Sequence, residues 1–353
     1  MGADVGTMTS RMWARAHEQC IPLSVTMELT LRCNLRCVHC YNFDRELPYL
    51  PGRARAEELS DDEVLRIIGE VRAAGCLYLA FTGGEALVHP GLDTFVAHAR
   101  TLGMFVRLKS NGTLLSAKRV QRLAVAGVSA IDVSLYGSDA RTHDDFVKVD
   151  GAFARTWSGI HAARDADVEV KLSFVLGRRN IAQADAMRTM AEAAGIPASF
   201  DPQITARQDG SRSSLDLLID QADIERFYRA QSALAPNGPI HDGTSVQCSC
   251  ARSVCGISAF GDVYPCIGAP LVAGNLRRQP FAEIWETSST FSWIRGLTLD
   301  DFAACRQCEH RTYCHRSSGV VYHNTGDYTG PAHFGDEWVC HEAALLHRLA
   351  DYG

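Results

Sequence analysis

The sequence predicts an α/β fold in which six parallel strands alternate with helices, followed by a loop-rich region that is dense in cysteine. Between residues 25 and 204, short apolar runs of strand length alternate with segments whose apolar residues recur at helical spacing. This alternation is typical of parallel β/α units, whose right-handed crossovers close into a barrel or an open part of one. Eight of the thirteen cysteines lie beyond residue 247, and none lies between Cys76 and Cys248, so the chain has two regions of different composition.

The six predicted strands are 25–31, 77–81, 104–109, 130–135, 168–176 and 198–204. Ser60 and Glu63 form a predicted capping box before a helix with apolar residues at helical spacing over 64–71. Asn180 is predicted to cap the helix that ends at Gly195. Functional groups of a β/α barrel gather at the carboxyl ends of its strands, and the motifs of this chain follow those ends.

The composition is that of an ordinary globular protein. Of the 353 residues, 46% are hydrophobic and 22% charged, and the net charge of −6 gives no basic surface for nucleic acid. No apolar run approaches the roughly 20 residues of a membrane span, and the first twenty residues lack the apolar centre of a secretion signal. We therefore expect a cytoplasmic protein with no membrane partner. We divide it into a lead segment 1–20, a core domain 21–238 and a cysteine-rich domain 239–353, with the boundary at the helix-breaking stretch 236–245.

A cysteine motif, Cys33-Asn-Leu-Arg-Cys37-Val-His-Cys40, follows the first predicted strand. Three thiolates at this spacing can hold three irons of a 4Fe–4S cluster and leave the fourth iron open to a small molecule. In a reducing compartment, clustered cysteines indicate metal binding more often than disulfides. A three-cysteine zinc site and a chance spacing are the alternatives.

A second motif, Thr82-Gly83-Gly84-Glu85, follows the second predicted strand. The two glycines let the backbone approach a ligand closely, and the Glu85 carboxylate can accept hydrogen bonds from an ammonium group. The cysteine triad after one strand and Gly-Gly-Glu after the next together resemble the radical S-adenosylmethionine (SAM) enzymes. This resemblance implies a partial (β/α)6 barrel in which the open iron of a 4Fe–4S cluster binds the amino and carboxylate groups of SAM.

The resemblance also implies roles for individual residues. The predicted ligands of the SAM-binding cluster are Cys33, Cys37 and Cys40. The predicted SAM-binding residues are Gly83, Gly84 and Glu85 for the amino group, His39 for adenine, and Ser110, Asn111, Ser134 and Ser173 for the ribose or the carboxylate. Turn formation and strand-end capping are the alternatives for the last four residues. Tyr136 is a candidate to approach the active site, and no spacing identifies a catalytic acid or base.

Two further cysteine groups lie beyond the core. The first group is Cys248, Cys250, Cys255 and Cys266, and the second group is Cys305, Cys308, Cys314 and Cys340. The stretch 261–266 predicts a tight hairpin. Together with Gly274-Asn275-Leu276 and the Cys-x2-Cys-x5-Cys run, it resembles the SPASM extension of radical SAM enzymes. This resemblance implies two auxiliary iron–sulfur clusters, which we predict to be of the 4Fe–4S type.

The sequence departs from the SPASM pattern shortly after Cys314. Ser317 and Ser318 occupy the places of a cysteine that usually completes the first auxiliary cluster. Cys248 or Cys250 can replace that cysteine locally, and the sequence does not choose between them. Alternatively, the first auxiliary cluster keeps an open iron, is a 2Fe–2S centre, or is absent. Structural zinc is a further alternative.

The resemblance implies a reaction in which reductive cleavage of SAM yields a 5′-deoxyadenosyl radical that abstracts hydrogen from a substrate. We predict a ribosomally made peptide as the substrate, matured by a crosslink, an oxidation or an epimerisation. The alternatives are a dehydrogenase or epimerase of a sugar or aminocyclitol natural product, and a non-catalytic electron-transfer protein. The expected partners are an electron donor such as flavodoxin or ferredoxin and, because the lead segment is too short for a recognition domain, a separate leader-peptide-binding protein.

Overall fold

The computed structural model describes residues 7–230, 238–240, 242–244, 248–331 and 338–351. Its strands are β1 Ser24–Thr30, β2 Tyr78–Gly83, β3 Phe105–Ser110, β4 Ala130–Leu135, β5 Glu169–Val175, β6 Ala198–Asp201, β7 Val254–Ile257, β8 Asp262–Tyr264 and β9 Gly274–Asn275. They form one sheet in the linear order β6-β5-β4-β3-β2-β1-β7-β8-β9. Strands β1 to β6 pair in parallel, and each overlaps one of the six predicted strands. The predicted α/β fold with a parallel, open barrel sheet is confirmed.

The described helices are α1 Met8–Glu18, α2 Asp61–Ala73, α3 Leu92–Thr101, α4 Ala117–Ala126, α5 Ala140–Val147, α6 Ala152–Asp165, α7 Ala184–Ala194, α8 Gln221–Ala230, α9 Phe281–Thr287, α10 Ser289–Gly296, α11 Ala303–Arg306, α12 Ser318–Thr325 and α13 Trp338–Asp351. At least one helix lies in every connection between successive strands from β1 to β6, as right-handed crossovers require. None of the helices in the described ranges combines the length and the apolar character needed to cross a membrane.

The two faces of the parallel sheet differ in polarity. On one face, Met27, Phe81 and Leu108 are fully buried in the core that the helices cover. Successive strand residues point to opposite faces, and the strand register therefore places Lys109 beside Asp132, and Asp132 beside Lys171, on the other face. We call this second face the polar face. Because the helices cover the outside of a β/α barrel, the polar face lines the interior.

The prediction that Asn180 caps a helix is wrong. Helix α7 begins four residues later, after a 3-10 turn, and the Asn180 side chain caps neither element. Its amide oxygen instead accepts from the Gly177 backbone at 2.7 Å, and its amide nitrogen donates to the carbonyls of Tyr136 and Val175 at 3.1 and 2.9 Å. These contacts satisfy a buried side chain and join the chain ends that leave β4 and β5.

The cysteine-rich region continues the core sheet. Strands β7 and β8 form the predicted hairpin, and Gly261 takes φ of 82° in its turn, a conformation that glycine adopts without strain. Strand β7 also pairs in parallel with β1, which places Cys255 beside Val25. Part of the predicted domain boundary, residues 236–237, 241 and 245, lies outside the described residues. The boundary therefore stays a prediction.

Arg277 joins the cysteine-rich region to the start of α2. Its guanidinium donates to both oxygens of the Glu63 carboxylate, at 2.7 and 2.9 Å, and to the backbone carbonyls of Glu57 and Glu58. The same carboxylate accepts from the Ser60 backbone and completes the predicted capping box, which is confirmed. Hydrogen bonds from Arg277 are the main reason that the pKa of Glu63 falls to about 2.

Replacing Glu63→Gln should lower the free energy of unfolding at neutral pH by about 1–2 kcal/mol, because the change removes a bidentate ion pair and weakens a helix cap. The folded-state pKa lies below the unfolded value, so the carboxylate stabilises the fold fully above about pH 5 and loses this effect as the pH falls toward 2. Urea unfolding at several pH values should show the gap between wild type and variant narrowing as the pH falls.

Glu192→Gln is the matched control for this experiment. It removes the exposed i,i+4 pair between Arg188 and Glu192 on α7. Exposed pairs of this kind contribute about 0.3–0.5 kcal/mol. An equal loss of stability in the two variants would contradict the linking role of Glu63.

Candidate functional site

The cysteine loop and the Gly-Gly-Glu motif are joined by their backbones. The Gly84 amide donates to the Thr30 carbonyl at 2.7 Å, and the Glu85 amide donates to the Arg32 carbonyl at 2.8 Å. A Cβ atom on Gly83 would lie 2.2 Å from the Thr30 oxygen, and one on Gly84 would lie 2.2 Å from the Arg32 oxygen. Only glycine fits at these two positions, because the chain entering the cysteine loop passes directly against them.

Glu85 connects the Gly-Gly motif to the end of β3. Its carboxylate is 2% exposed and accepts from the Leu87 amide at 2.9 Å, the Ser110 hydroxyl at 3.0 Å and the Asn111 amide at 2.8 Å. Burial raises the pKa of Glu85, while these three donors lower it. The observed contacts of Ser110 and Glu85 are therefore with each other and with the backbone, and they hold the ends of β2 and β3 together.

Polar side chains hold the cysteine loop in place. The Asn111 amide donates to the Asn34 side chain at 3.0 Å and lies 4.0 Å from the Cys33 sulfur. Asn34 in turn donates to the Thr113 hydroxyl at 2.7 Å. This network fixes Cys33, the first predicted cluster ligand, relative to the end of β3, and it holds the Asn111 side chain near the Cys33 sulfur.

The thiols of the loop lie in a desolvated environment. Burial raises the pKa of Cys33 to about 11 and that of Cys37 well above its ordinary value, and neighbouring thiols raise both further. A bound metal would instead favour the thiolate forms. Among the described residues, no three or more His, Cys, Asp and Glu side chains lie close enough together for a single metal ion. Three half-buried cysteines in one loop, held by hydrogen bonds to β3 and to Arg45, are a donor set that fits an iron–sulfur cluster.

His39 lies in an aromatic pocket beside this loop. Its ring centroid is 4.7 Å from that of Tyr136 and 4.8 Å from that of Phe146, and these two rings stack at 4.9 Å. Within the described residues its buried Nδ1 has no hydrogen-bond partner. Burial lowers the pKa of His39 to about 3, so the imidazole is neutral. The Ser134 hydroxyl bonds to Tyr136, and Ser173 lies beside Ser134 on the polar face.

Two arginines at the cysteine loop, the half-buried Arg45 and the buried Arg207, could not be identified from the sequence. Arg45 donates from Nε to the Cys40 sulfur at 3.0 Å and from Nη1 to the Leu31 carbonyl at 2.8 Å. Arg207 is 6% exposed and donates to the Val38 carbonyl at 2.9 Å, although 169 residues separate them in the chain. Arg45 brings positive charge to the thiols, whose own motif contains no cation other than Arg36. Arg207 instead holds the loop backbone at Val38 and helps to lower the pKa of His39.

A buried carboxyl group lies on the polar face of β1. Glu28 is 1% exposed, and the Tyr41 hydroxyl donates to it at 2.9 Å. Burial raises the pKa of Glu28 to about 7. Strand alternation alone could have placed Glu28 inside the barrel, because Val25, Met27 and Leu29 face the helices.

The first distal cysteine group assembles around Cys250 and Cys266. The sulfurs of Cys248 and Cys250 are 3.0 Å apart, and Cys250 also bonds to the Cys266 sulfur. Cys255, on β7, interacts with Cys266 and with Cys76. The structure thus brings together the four predicted ligands of the first auxiliary site, including both Cys248 and Cys250.

The second distal cysteine group also assembles. Cys314 interacts electrostatically with Cys340, Cys305 and Cys308, and burial raises the pKa of Cys314 to about 12. Cys314 is therefore close enough to interact with the other three cysteines of its group, although the described side chains do not surround a single metal ion. Four neighbouring thiols are the number that a fully ligated cluster requires.

The two serines that replace a SPASM cysteine have different environments. Ser317 caps α12 through its side chain. Ser318 is fully buried, and its amide bonds to the Cys248 sulfur. A Cβ atom on the next residue, Gly319, would lie 3.1 Å from the Cys266 sulfur. Ser318 is therefore the residue that faces the first distal group.

Two protein-family models match this chain, one over the core and one over the cysteine-rich region. The family model described as the Radical SAM superfamily matches residues 27–191, and the SPASM model, described as an iron-sulfur cluster-binding domain, matches residues 248–309. These domains imply that the chain binds iron–sulfur clusters and SAM.

Individual relatives match most of the chain. An AdoMet-dependent heme synthase of Methanosarcina barkeri is 32% identical over 340 residues, which are 87% of this chain and 94% of the relative. A PqqA peptide cyclase of Rhodopseudomonas palustris is 29% identical over 306 residues, covering 78% of this chain and 76% of the relative. The solved structure of native anSMEcpe with bound AdoMet shares the fold with a TM-score of 0.68 at 15% identity, covering 94% of this chain and 96% of that one.

Replacing Gly84→Ala should disrupt the junction between the two core motifs. The added Cβ would meet the carbonyl oxygens of Arg32 and Leu31 at 2.2 and 2.5 Å, so the cysteine loop must move. We expect the free energy of unfolding to fall by at least about 1–3 kcal/mol, measured by urea unfolding. Gly69→Ala is the control, since nothing lies within 4 Å of its Cβ position on α2 and alanine favours helix. Equal stabilities for the two variants would contradict the tight junction.

Proposed function

The chain belongs to the radical SAM superfamily and carries a SPASM domain, and we propose that this enzyme modifies a peptide by radical chemistry. The observation that carries the proposal is the backbone junction between the cysteine loop and Gly83–Glu85 at the carboxyl edge of the sheet. A 4Fe–4S cluster at this junction would supply the electron that cleaves SAM to a 5′-deoxyadenosyl radical. The remaining steps depend on how the protein holds the cluster, SAM and the substrate.

We assign cluster binding in the core to Cys33, Cys37 and Cys40. Arg45 hydrogen-bonds the Cys40 sulfur, and Asn111 lies at the Cys33 sulfur. Hydrogen bonds and positive charge at the sulfurs favour the thiolate state and tune the reduction potential of a cluster. These two side chains therefore support ligation without being ligands themselves.

We assign SAM binding to the residues that surround the loop. The amino group of SAM would meet Gly83, Gly84 and Glu85, and adenine would stack in the pocket of His39, whose neutral ring offers an unpartnered nitrogen. Ser134 and Ser173, neighbours on the polar face, would bind the ribose or the carboxylate. Ser110 and Asn111 would act by positioning Glu85 and Cys33.

We propose two auxiliary iron–sulfur clusters in the SPASM domain. The first would be held by Cys248, Cys250, Cys255 and Cys266, with a local cysteine in place of the one that Ser318 replaces. The second would be held by Cys305, Cys308, Cys314 and Cys340. In each set the four cysteines are linked by pairwise interactions, which supports ligation by four thiolates and a role in electron transfer. The external electron donor would be a flavodoxin or ferredoxin.

The polar face supports a substrate with charged groups. Lys109, Asp132 and Lys171 form one row across β3, β4 and β5, and Arg107 pairs with Asp132 at 2.8 Å. The same face also carries the carboxylates of Glu28 and Asp201, and Lys109 interacts with Asp201. Groups of both charges are therefore available to the charged side chains of a peptide. The similarity to a PqqA peptide cyclase supports the peptide class. A separate leader-binding protein would present the peptide.

A second substrate class, an iron porphyrin, is favoured by the similarity to the AdoMet-dependent heme synthase. That relative is 32% identical and is covered over 94% of its length, against 29% and 76% for the peptide cyclase. An iron porphyrin with carboxylate side chains would also suit the cations of the polar face. A sugar or aminocyclitol substrate stays a prediction.

Replacing Cys37→Ala should abolish SAM cleavage. Anaerobically reconstituted wild-type enzyme with SAM and a strong reductant should release 5′-deoxyadenosine, measured by chromatography, and the variant should release none while binding about four fewer irons per chain. Cys20→Ala is the control, because Cys20 lies outside all three cysteine groups, and it should retain both iron and activity. A fully iron-loaded wild type that releases no 5′-deoxyadenosine would contradict the radical assignment.

Substrate stimulation of 5′-deoxyadenosine release should separate the two classes. We expect the peptide fraction of a host extract to stimulate release, and protease treatment of that fraction to abolish the effect. An iron porphyrin with carboxylate side chains is the probe for the second class, and the small-metabolite fraction covers sugars and aminocyclitols. Stimulation by the porphyrin or the metabolites alone would contradict the peptide proposal while leaving the radical assignment intact.

A further inference from the structure

Arg316 is buried between the two distal cysteine groups. It is 5% exposed, and its guanidinium carbon lies 4.8 Å from the centroid of the Phe302 ring. Its Nη2 donates to the carbonyls of Tyr328 and Gly330 at 2.7 and 2.8 Å, which fixes the plane of the guanidinium. Within the described residues its buried Nε has no hydrogen-bond partner. The side chain is therefore held rigidly, with a donor unused.

The positive charge of Arg316 lies near cysteine thiols of both distal groups. Arg316 follows Cys314 by two residues, and it interacts electrostatically with the thiols of Cys305, Cys314 and Cys248. A buried cation is costly unless negative groups compensate it. The compensating groups come from both distal groups, since Cys305 and Cys314 belong to the second and Cys248 to the first.

Hydrogen bonds connect the two groups through Arg316. The guanidinium bonds to the Cys305 sulfur, and its Nη1 donates to the Ser318 hydroxyl at 2.6 Å. The Ser318 amide bonds to the Cys248 sulfur. One continuous path, Cys305–Arg316–Ser318–Cys248, therefore runs from the second group to the first. It passes through the serine that stands where the SPASM pattern has a cysteine.

We propose that Arg316 is a positioning residue that links the two auxiliary iron–sulfur sites and holds the reduction potentials of both above the values they would otherwise have. The inference rests on the two auxiliary clusters of the proposed function. Reduction adds a negative charge to a cluster, and a fixed cation in a low-dielectric environment stabilises the reduced state of each cluster near it. Hydrogen bonds to cluster sulfurs act in the same direction.

The test is a potentiometric titration of the full chain with Cys33, Cys37 and Cys40 changed to alanine, so that only the auxiliary sites contribute to the electron paramagnetic resonance spectrum. This background should bind about eight irons per chain. Arg316→Gln should lower the equilibrium constant for reduction at least tenfold at both sites, which is a downward shift of about 59 mV for one electron. Arg316→Lys, which keeps the charge, should stay near the background values.

Arg311→Gln is the matched control. Arg311 lies at the second group alone, where it affects Cys305 and donates to the carbonyls of Cys305 and Arg306. Its loss should shift the second site only. Full iron content with unchanged potentials in Arg316→Gln, or a shift at the second site alone, would overturn the link between the sites.

If Arg316→Gln binds less iron, the Arg316→Lys variant shows whether the charge or the packing of Arg316 is responsible. Recovery of both the iron and the two potentials in Arg316→Lys supports the role of the charge, whereas failure of the lysine variant to bind iron reduces Arg316 to a packing residue and overturns the proposal. About four irons in the background, found before any Arg316 variant is made, would instead contradict the two-cluster assignment on which the inference rests.

Discussion

The contact between the chain leaving β1 and the turn leaving β2 constrains everything at the candidate site. Thr30 and Arg32 accept hydrogen bonds from Gly84 and Glu85, and neither glycine leaves room for a side chain. The cysteine loop starts at this contact, so its position is set by sheet geometry. Glu85 extends the constraint to β3, because its carboxylate binds groups at the end of that strand. Three strand ends are thereby locked together before any cofactor binds.

At the core site and at the distal sites, arginine side chains bring positive charge to the cysteine sulfurs. Each cysteine group gathers sulfurs where burial raises the thiol pKa, and thiolates in such surroundings need positive neighbours. Arg45 contacts Cys40 in the core, and Arg316 contacts Cys305 in the distal region. Both guanidiniums also bind backbone carbonyls, which fixes their direction as well as their charge. Arginine suits this task because its planar fork bonds to two or more partners at once.

The sequence was sufficient to predict what depends on local pattern and insufficient for what depends on long-range packing. Strand-length apolar runs predicted all six parallel strands, and the capping box at Ser60 is local chemistry that the structure confirms. Asn180 was misassigned because an asparagine can either cap a helix or hydrogen-bond two strand ends together. Only the tertiary contacts show which of the two it does. Arg207 could not be found at all, since nothing local marks an arginine that binds a carbonyl 169 residues away. The sequence identified both serines after Cys314, but only the fold separates the helix cap Ser317 from the sulfur-facing Ser318.

The pairing of β7 with β1 makes the core and the cysteine-rich region mechanically one unit. Cys255 lies beside Val25 near the start of β1, and Cys33 follows the end of the same strand, eight residues further on. At about 3.3 Å per residue, that separation is at most about 26 Å along the strand. A sheet interior does not stretch, so this separation is fixed by covalent geometry and hydrogen bonds and does not vary with domain motion. The strand register puts Cys255 on the helix-covered face with Val25, whereas Glu28 and the rest of the polar face lie on the opposite side of the sheet. The two proposed cluster sites are therefore tied to opposite ends of β1 by the sheet itself, and the polar face runs along the other side of the same strand.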